Sequence, residues 1–243
     1  GIEYGLNKGL LGFGSDNSRG QFDNVSLQIL PPTLTLDRTE DFDTVPGWIA
    51  AAEGDWNVAA GRYAAETLGD AAVALVDLGK PLSYDSYLEF DAVANSGDGP
   101  VGLVFDRYGA SDFKYVLVDP VADRVVLGHR TAGGWFEDQT AGLVLDEFSD
   151  HSVKITVKGA SISVVVNGQT LIGFGYNSAL VDGRFGLLAQ DTGSFDQVRV
   201  RTNDDGFDEY DPDGTRVSIS DAAVIEGDSG TTIVDLIVSL DDV

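Results

Sequence analysis

Apolar and polar residues alternate with a period of two along most of this chain, and no stretch keeps a 3.6-residue apolar period over three turns. The clearest block sets Val153, Ile155 and Val157 on one side and Ser152, Lys154, Thr156 and Lys158 on the other. Gly159-Ala160 then turns the chain, and Ile162, Val164 and Val166 alternate with Ser161 and Ser163. Asn167-Gly168 follows, a pair suited to a type I′ hairpin turn because both central positions need positive φ, and the strand resumes through 171–174. A meander with one wet face is the pattern of a sandwich layer.

Further strands are expected at 61–67, 72–78, 84–93, 101–106, 113–119 and 124–129, separated by turns such as Asn95-Ser96-Gly97-Asp98-Gly99 and Gly133-Gly134. Thirty glycines against seven prolines suit many short strands joined by tight turns. Such spacing without intervening helices predicts an all-β fold, an antiparallel β-sandwich of jelly-roll type. The 243 residues leave room for one large sandwich and a smaller unit.

Charge narrows the partners. Fifteen basic residues stand against 40 acidic ones, a net charge of −25, which repels nucleic acid and anionic membranes and attracts divalent cations. Oxygen-rich sites of this kind suit Ca²⁺. With no Cys, neither disulfides nor thiol chemistry is available, so any stapling must come from packing or metal. With no Met, the chain is expected to be a processed or internal stretch of a longer product. No apolar run approaches 18 residues, so no membrane insertion by a helix is expected.

Gly12-Phe13-Gly14 with Phe22-Asp23-Asn24-Val25-Ser26-Leu27 echoes Gly186-Leu187-Leu188 with Phe195-Asp196-Gln197-Val198-Arg199-Val200. Residues 1–30 are therefore expected to be the closing strands of a preceding sandwich repeat, and 31–39 a linker stiffened by Pro31-Pro32. The turn-rich acidic stretch 203–214 is expected to be a second linker before a further unit at 215–243. Its carboxylates fail the EF-hand pattern, since Ser220 stands where a bidentate Glu is required.

Residues 40–202 resemble the concanavalin-like, laminin-G-like sandwich modules of large bacterial extracellular proteins. The resemblance is carried by Glu40-Asp41-Phe42-Asp43 with Gly47-Trp48, by Gly54-Asp55-Trp56-Asn57-Val58 with Gly61-Arg62-Tyr63, by Gly102-Leu103-Val104-Phe105 with Phe113 and Tyr115, and by the closing segment 183–200. Residues 217–243 resemble the start of a Calx-β domain, through Val217-Ser218-Ile219-Ser220-Asp221 and Val224-Ile225-Glu226-Gly227-Asp228-Ser229-Gly230. Together these resemblances imply a secreted, extracellular or cell-surface protein of bacterial type that binds calcium. In the sandwich they imply an ion between Asp41 or Asp43 and Asp196. In the Calx-β-like unit they imply one held by Glu226, Asp228, Asp241 and Asp242.

Two aromatics are candidates for ligand contact. Trp135 follows Gly133-Gly134 and is expected at a loop tip, and Tyr108 lies in Asp106-Arg107-Tyr108-Gly109. Aromatic platforms beside carboxylates suit sugar rings. No catalytic residue is assigned. Gly227-Asp228-Ser229-Gly230 lacks the flanking His and Asp context of a protease nucleophile. Sandwich glycosidases need an acid and a second carboxylate at a defined separation; Glu89 and Asp91 share a strand face, but the next residue on that face, Val93, is not acidic. The expected function is non-enzymatic: a structural or adhesive module of a calcium-braced surface or fibre-forming protein, with other copies or neighbouring modules as partners. The alternative is a carbohydrate-binding, lectin-like module with glycans as partners; a sandwich glycosidase ranks third.

Overall fold

The computed structural model describes residues 33–207, together with the backbone of 216–219 and 238–241. Fifteen strands build the main unit. In chain order they are β1 (Leu36–Glu40), β2 (Ile49–Glu53), β3 (Asp55–Ala59), β4 (Arg62–Glu66), β5 (Ala72–Val76), β6 (Tyr87–Ser96), β7 (Val101–Gly109) and β8 (Asp112–Asp119). They continue as β9 (Arg124–Thr131), β10 (Gly134–Gly142), β11 (Asp150–Lys158), β12 (Ser161–Val166), β13 (Gln169–Gly175), β14 (Arg184–Ala189) and β15 (Gly193–Thr202).

They form two antiparallel sheets, as the period-two pattern requires. One runs β13-β12-β11-β6-β15-β4-β3, with β1 also paired to β15; the other runs β10-β9-β8-β7-β14-β5-β2. The β11–β12–β13 meander falls where the alternation placed it. Val153, Ile155, Val157, Ile162, Val164 and Val166 all point inward and are buried. Asn167 and Gly168 take φ of 50° and 77°, the left-handed pair a type I′ turn demands. The layers meet through Phe90 of β6 and Phe185 of β14, edge to face with ring centroids 5.1 Å apart.

Strand β15 is the hub of the first sheet. One side pairs with β6 along most of its length; the other pairs with β4 through Gly193–Phe195 and with β1 through Val198–Thr202. The change of partner coincides with a bulge between Asp196 and Arg199, where Gln197 has φ of 48°.

The second sheet is buried on both faces. Its inner face carries Val101, Leu103, Val116, Val118, Leu127 and Leu187. Its outer face carries a second apolar cluster of Val73, Leu75, Val104, Phe113, Tyr115, Leu117, Val126 and Leu188, joined by Ala71. This explains the unbroken apolar run through β5, which has no wet side to encode. The sheet must coil strongly. Asp70, just before β5, accepts a 2.7 Å bond from Arg130 of β9, although β14, β7 and β8 lie between those strands.

Fully burying each large side chain in either cluster contributes about 1.5–3 kcal/mol, so the outer cluster stabilises the coil as the inner one stabilises the sandwich. A separate unit begins at Phe207, and its described part is the antiparallel pair β16 (Arg216–Ile219) and β17 (Val238–Asp241). The stretch 31–39, expected as a linker, enters strand β1 at Leu36 because it pairs with β15, whereas residues 1–30 and the 208–214 part of the expected linker 203–214 lie outside the described residues. Asp204, placed by sequence in that linker, belongs instead to the sandwich. It is buried and accepts bonds from the Ser83 N–H (2.5 Å), the Ser86 hydroxyl (2.9 Å) and the Gly206 N–H (2.8 Å). Burial alone would raise its pKa; these donors outweigh it and hold the carboxyl below its usual value.

Candidate functional site

Edge strands of the two sheets, β10 and β13, approach one another, and between them opens a cleft of about 450 Å³. Asp112 and Lys114 line it from β8, His129, Arg130 and Thr131 from β9, Asp138 from β10, and Phe174, Gly175, Tyr176 and Asn177 from the end of β13. Local sequence explains how β10 serves it. A bulge between Glu137 and Gln139 makes Asp138 the extra residue, free of strand pairing and able to reach across to its neighbour. The same bulge erases the alternation by which β10 would have been read as a strand.

Gly128 of β9 completes the arrangement. A Cβ there would lie 2.4 Å from the Tyr115 hydroxyl, so only glycine lets Tyr115 cross over and donate to the Phe136 carbonyl at 3.1 Å. That bond pins β10 beside Phe136, whose side chain is 45% exposed and stacks on His129 with centroids 5.2 Å apart and planes at 14°.

Asp138 is the centre of the polar network. One oxygen meets Nδ1 of His129 at 2.8 Å, and the other accepts from the Tyr176 hydroxyl at 3.0 Å. Lys114 places its ammonium 5.0 Å from the Tyr176 ring centre while pairing with Asp106. Burial, reinforced by Asp138, raises the Tyr176 hydroxyl far above the usual tyrosine range. Burial and the carboxylates of Glu137 and Asp138 likewise push Tyr115 up to about 12. Both phenols are neutral donors at physiological pH. The cleft therefore offers a pinned carboxylate with hydroxyl and imidazole groups, and the half-exposed Phe136 ring lies beside it, stacked on the lining His129. Such a set can bind a polyhydroxylated ligand.

The two aromatics proposed from sequence lie differently. Trp135 is not at a loop tip. It belongs to β10 and packs edge-on against Phe113 (5.4 Å) and Tyr115 (5.0 Å), covering the outer apolar cluster with Arg130 over its ring. Its neighbour Phe136 is the exposed aromatic. Tyr108 is 59% exposed; desolvation, with the carboxylates of Asp106 and Asp182 adding to it, raises its pKa. It touches the cleft only indirectly, through the Asp106–Lys114 pair.

Of the carboxylates of the expected calcium site, Asp41 and Asp196 each have a local partner. Asp41 accepts from the Asp43 N–H at 3.4 Å, and Asp196 accepts from the Gln197 N–H at 2.7 Å and faces Arg62 at 4.0 Å. Among the described residues no group of three or more His, Asp or Glu is placed to hold a metal ion. Glu226, Asp228 and Asp242 lie outside the described residues, as does the Asp241 side chain.

On the outer face of β6, Glu89 and Asp91 do stand side by side, and Arg201 of β15 pairs with both. Glu89 is only 6% exposed, and it also accepts from the Tyr87 hydroxyl at 2.6 Å and faces Lys154 at 3.8 Å. Burial raises the Asp91 pKa, with Lys154 and Arg199 opposing.

Comparison with solved structures places the fold. A carbohydrate-binding module of Bacillus subtilis, CBM66, superposes with a TM-score of 0.53 at 17% identity, over 62% of this chain and 92% of that one. A β-glucanase of Bacillus licheniformis aligns at 14% identity over 68% of this chain and 97% of its own, with a TM-score of 0.48. A galectin of Caenorhabditis elegans aligns at 15% identity over 50% and 85%, with a TM-score of 0.39. No protein-family model matches the chain, and no curated protein sequence matches it. The likeness is one of fold: a concanavalin-like, jelly-roll β-sandwich. No helix among the described residues is long and apolar enough to cross a membrane.

Proposed function

We propose that the sandwich is a non-catalytic, glycan-binding module of an extracellular surface protein, and that the β10–β13 cleft is its site. The observation that carries this reading is the pairing of a half-exposed Phe136 ring with an Asp138 carboxylate fixed on both oxygens. A sugar presents an apolar ring face and a belt of hydroxyls, and an aromatic beside preset polar groups answers both. The neighbour named as a carbohydrate-binding module shares the fold; the cleft supplies the chemistry. A binding role also fits the outer face of β6, where Arg201 ties up both carboxylates that a sandwich glycosidase would need as acid and base.

The structural and adhesive setting, with laminin-G-like and Calx-β-like neighbours and calcium bracing the modules, is retained as the context of this site. It rests on the net charge of −25 and on the sequence resemblances. The test is a broad glycan array followed by calorimetric titration of the best hit. Phe136→Ala is expected to weaken binding roughly ten-fold, the effect of losing one stacking platform, with no loss of melting temperature beyond about 3 °C. Silence across the array, or unchanged affinity in Phe136→Ala, refutes the assignment.

A further inference from the structure

Resting on that reading, we infer that the glycan is a cationic one, built of sugars with free amino groups. The charges around the cleft lead there. Each strong cation that lines it is already matched to an acid set back from it: Lys114 to Asp106, and Arg130 to Asp70. Asp106 is 3% exposed, so its pairing with Lys114 is buried behind the cleft and cancels that ammonium's charge there. The carboxylates in the lining are not matched in this way. Asp138 meets only His129 and the neutral Tyr176 hydroxyl, and Asp112 has no ion-pair partner among the described residues.

The lining therefore carries two acids unmatched by Lys or Arg in about 450 Å³, on a chain whose overall field is strongly negative. An acidic glycan would meet that field and no free guanidinium or ammonium. A neutral one would leave the charge unused. A protonated amine would satisfy it, since a charge-assisted bond to a carboxylate is about twice as strong as a neutral one. The rings suit the same group: Lys114 already holds its ammonium 5.0 Å over Tyr176, and Phe136 leaves a comparable face open to solvent.

The experiment titrates the whole chain with three hexasaccharides of similar size, in about 0.15 M salt to screen long-range attraction. These are a fully deacetylated glucosamine hexamer, its N-acetylated counterpart and cellohexaose. The glucosamine hexamer is expected to bind roughly ten-fold more tightly than either neutral oligomer, the worth of one charge-assisted bond. Asp112→Asn and Asp138→Asn should each bring that ratio down to about three-fold or less. Asp55→Asn, on the far edge strand β3, should leave it unchanged and so report the non-specific attraction of a polycation to an acidic protein.

Equal affinity for the three oligomers, or a preference for the neutral ones, overturns the inference while the glycan-binding assignment stands. An equal loss in Asp55→Asn also overturns it, as does tight binding of a lysine peptide with none of the amino sugar. If no oligomer binds, the glycan-binding assignment itself has failed. The comparison of ligands on the unaltered chain remains decisive should either cleft variant fold poorly.

Discussion

Removing Arg201 should strand a buried charge, and the cost should depend on pH in a defined direction. Arg201 bridges Glu89 and Asp91 on the outer face of β6, and the Glu89 side chain is 8% exposed against 24% for Arg201. Breaking a fully buried pair costs about 3–5 kcal/mol because the remaining charge lies uncompensated. Here the arginine is partly in solvent and Lys154 stays 3.8 Å from the same carboxylate. The expected cost of Arg201→Ala is therefore about 2 kcal/mol at pH 8.

Stripped of its partner, Glu89 would bind a proton more tightly folded than unfolded. A carboxyl raised in the folded state penalises folding fully above its folded pKa, and the penalty fades as pH falls through that value toward the ordinary glutamate pKa of about 4.3. The deficit measured against the unaltered protein should shrink between pH 8 and pH 5. Adding Glu89→Gln to Arg201→Ala should reduce it to about 1 kcal/mol at pH 8, since the more buried of the two stranded charges is gone and Asp91 keeps Lys154 and Arg199 beside it. Urea unfolding followed by tryptophan fluorescence reads these differences from the midpoint at constant slope. A deficit that does not change with pH, or a double variant no better than Arg201→Ala, refutes the account.

Asp204→Ala would leave the Ser83 and Gly206 N–H groups without their acceptor. It should cost about 2 kcal/mol at pH 7 by urea unfolding. The Asp204 pKa is depressed, so the advantage of the native residue is present above the ordinary Asp value of about 3.9 and is lost as pH falls below it. Two glycine replacements should separate conformation from space. Gly168→Ala has room around it but keeps φ near 77°, so its unfolding midpoint should report about 1 kcal/mol; Gly186→Ala would drive a Cβ to 2.0 Å from the Ala74 carbonyl and should cost ~3 kcal/mol or more. If calcium braces the chain, excess EDTA should lower the melting temperature by roughly 3 °C or more in a calorimeter, and an unchanged transition removes calcium from the account.

Alternation made the fold legible wherever a strand has one dry and one wet side. Strands β11 to β13 could be placed residue by residue for that reason, and Asn167-Gly168 fixed their turn. The period is lost where neighbours override it. Strand β10 is interrupted by its bulge, so Trp135 looked like a loop residue when it is packing, and the exposed Phe136 beside it went unnoticed. Asp138, Lys114 and Tyr176 had no signal at all, being 24 to 62 positions apart and joined only when the edges of two sheets meet. His129 was visible only as one of two histidines, with nothing in its neighbours to suggest a role. Asp204 was hidden among linker acids because composition cannot show which carboxylate finds three donors.

The pairing of β1 with β15 also bears on how force would pass through the module. Leu36 lies opposite Thr202, and the Thr35 hydroxyl donates to the Asp204 carbonyl at 2.7 Å, so the polypeptide comes into the sandwich and leaves it at the same point. A pull on the two flanks would open that antiparallel pair one hydrogen bond at a time, like a zip, instead of shearing five residue pairs at once. Tension along a longer polypeptide would therefore be concentrated on that pair and would bypass the strands behind it. Such a module would yield bond by bond, from its Leu36–Thr202 end, under a pull along the chain.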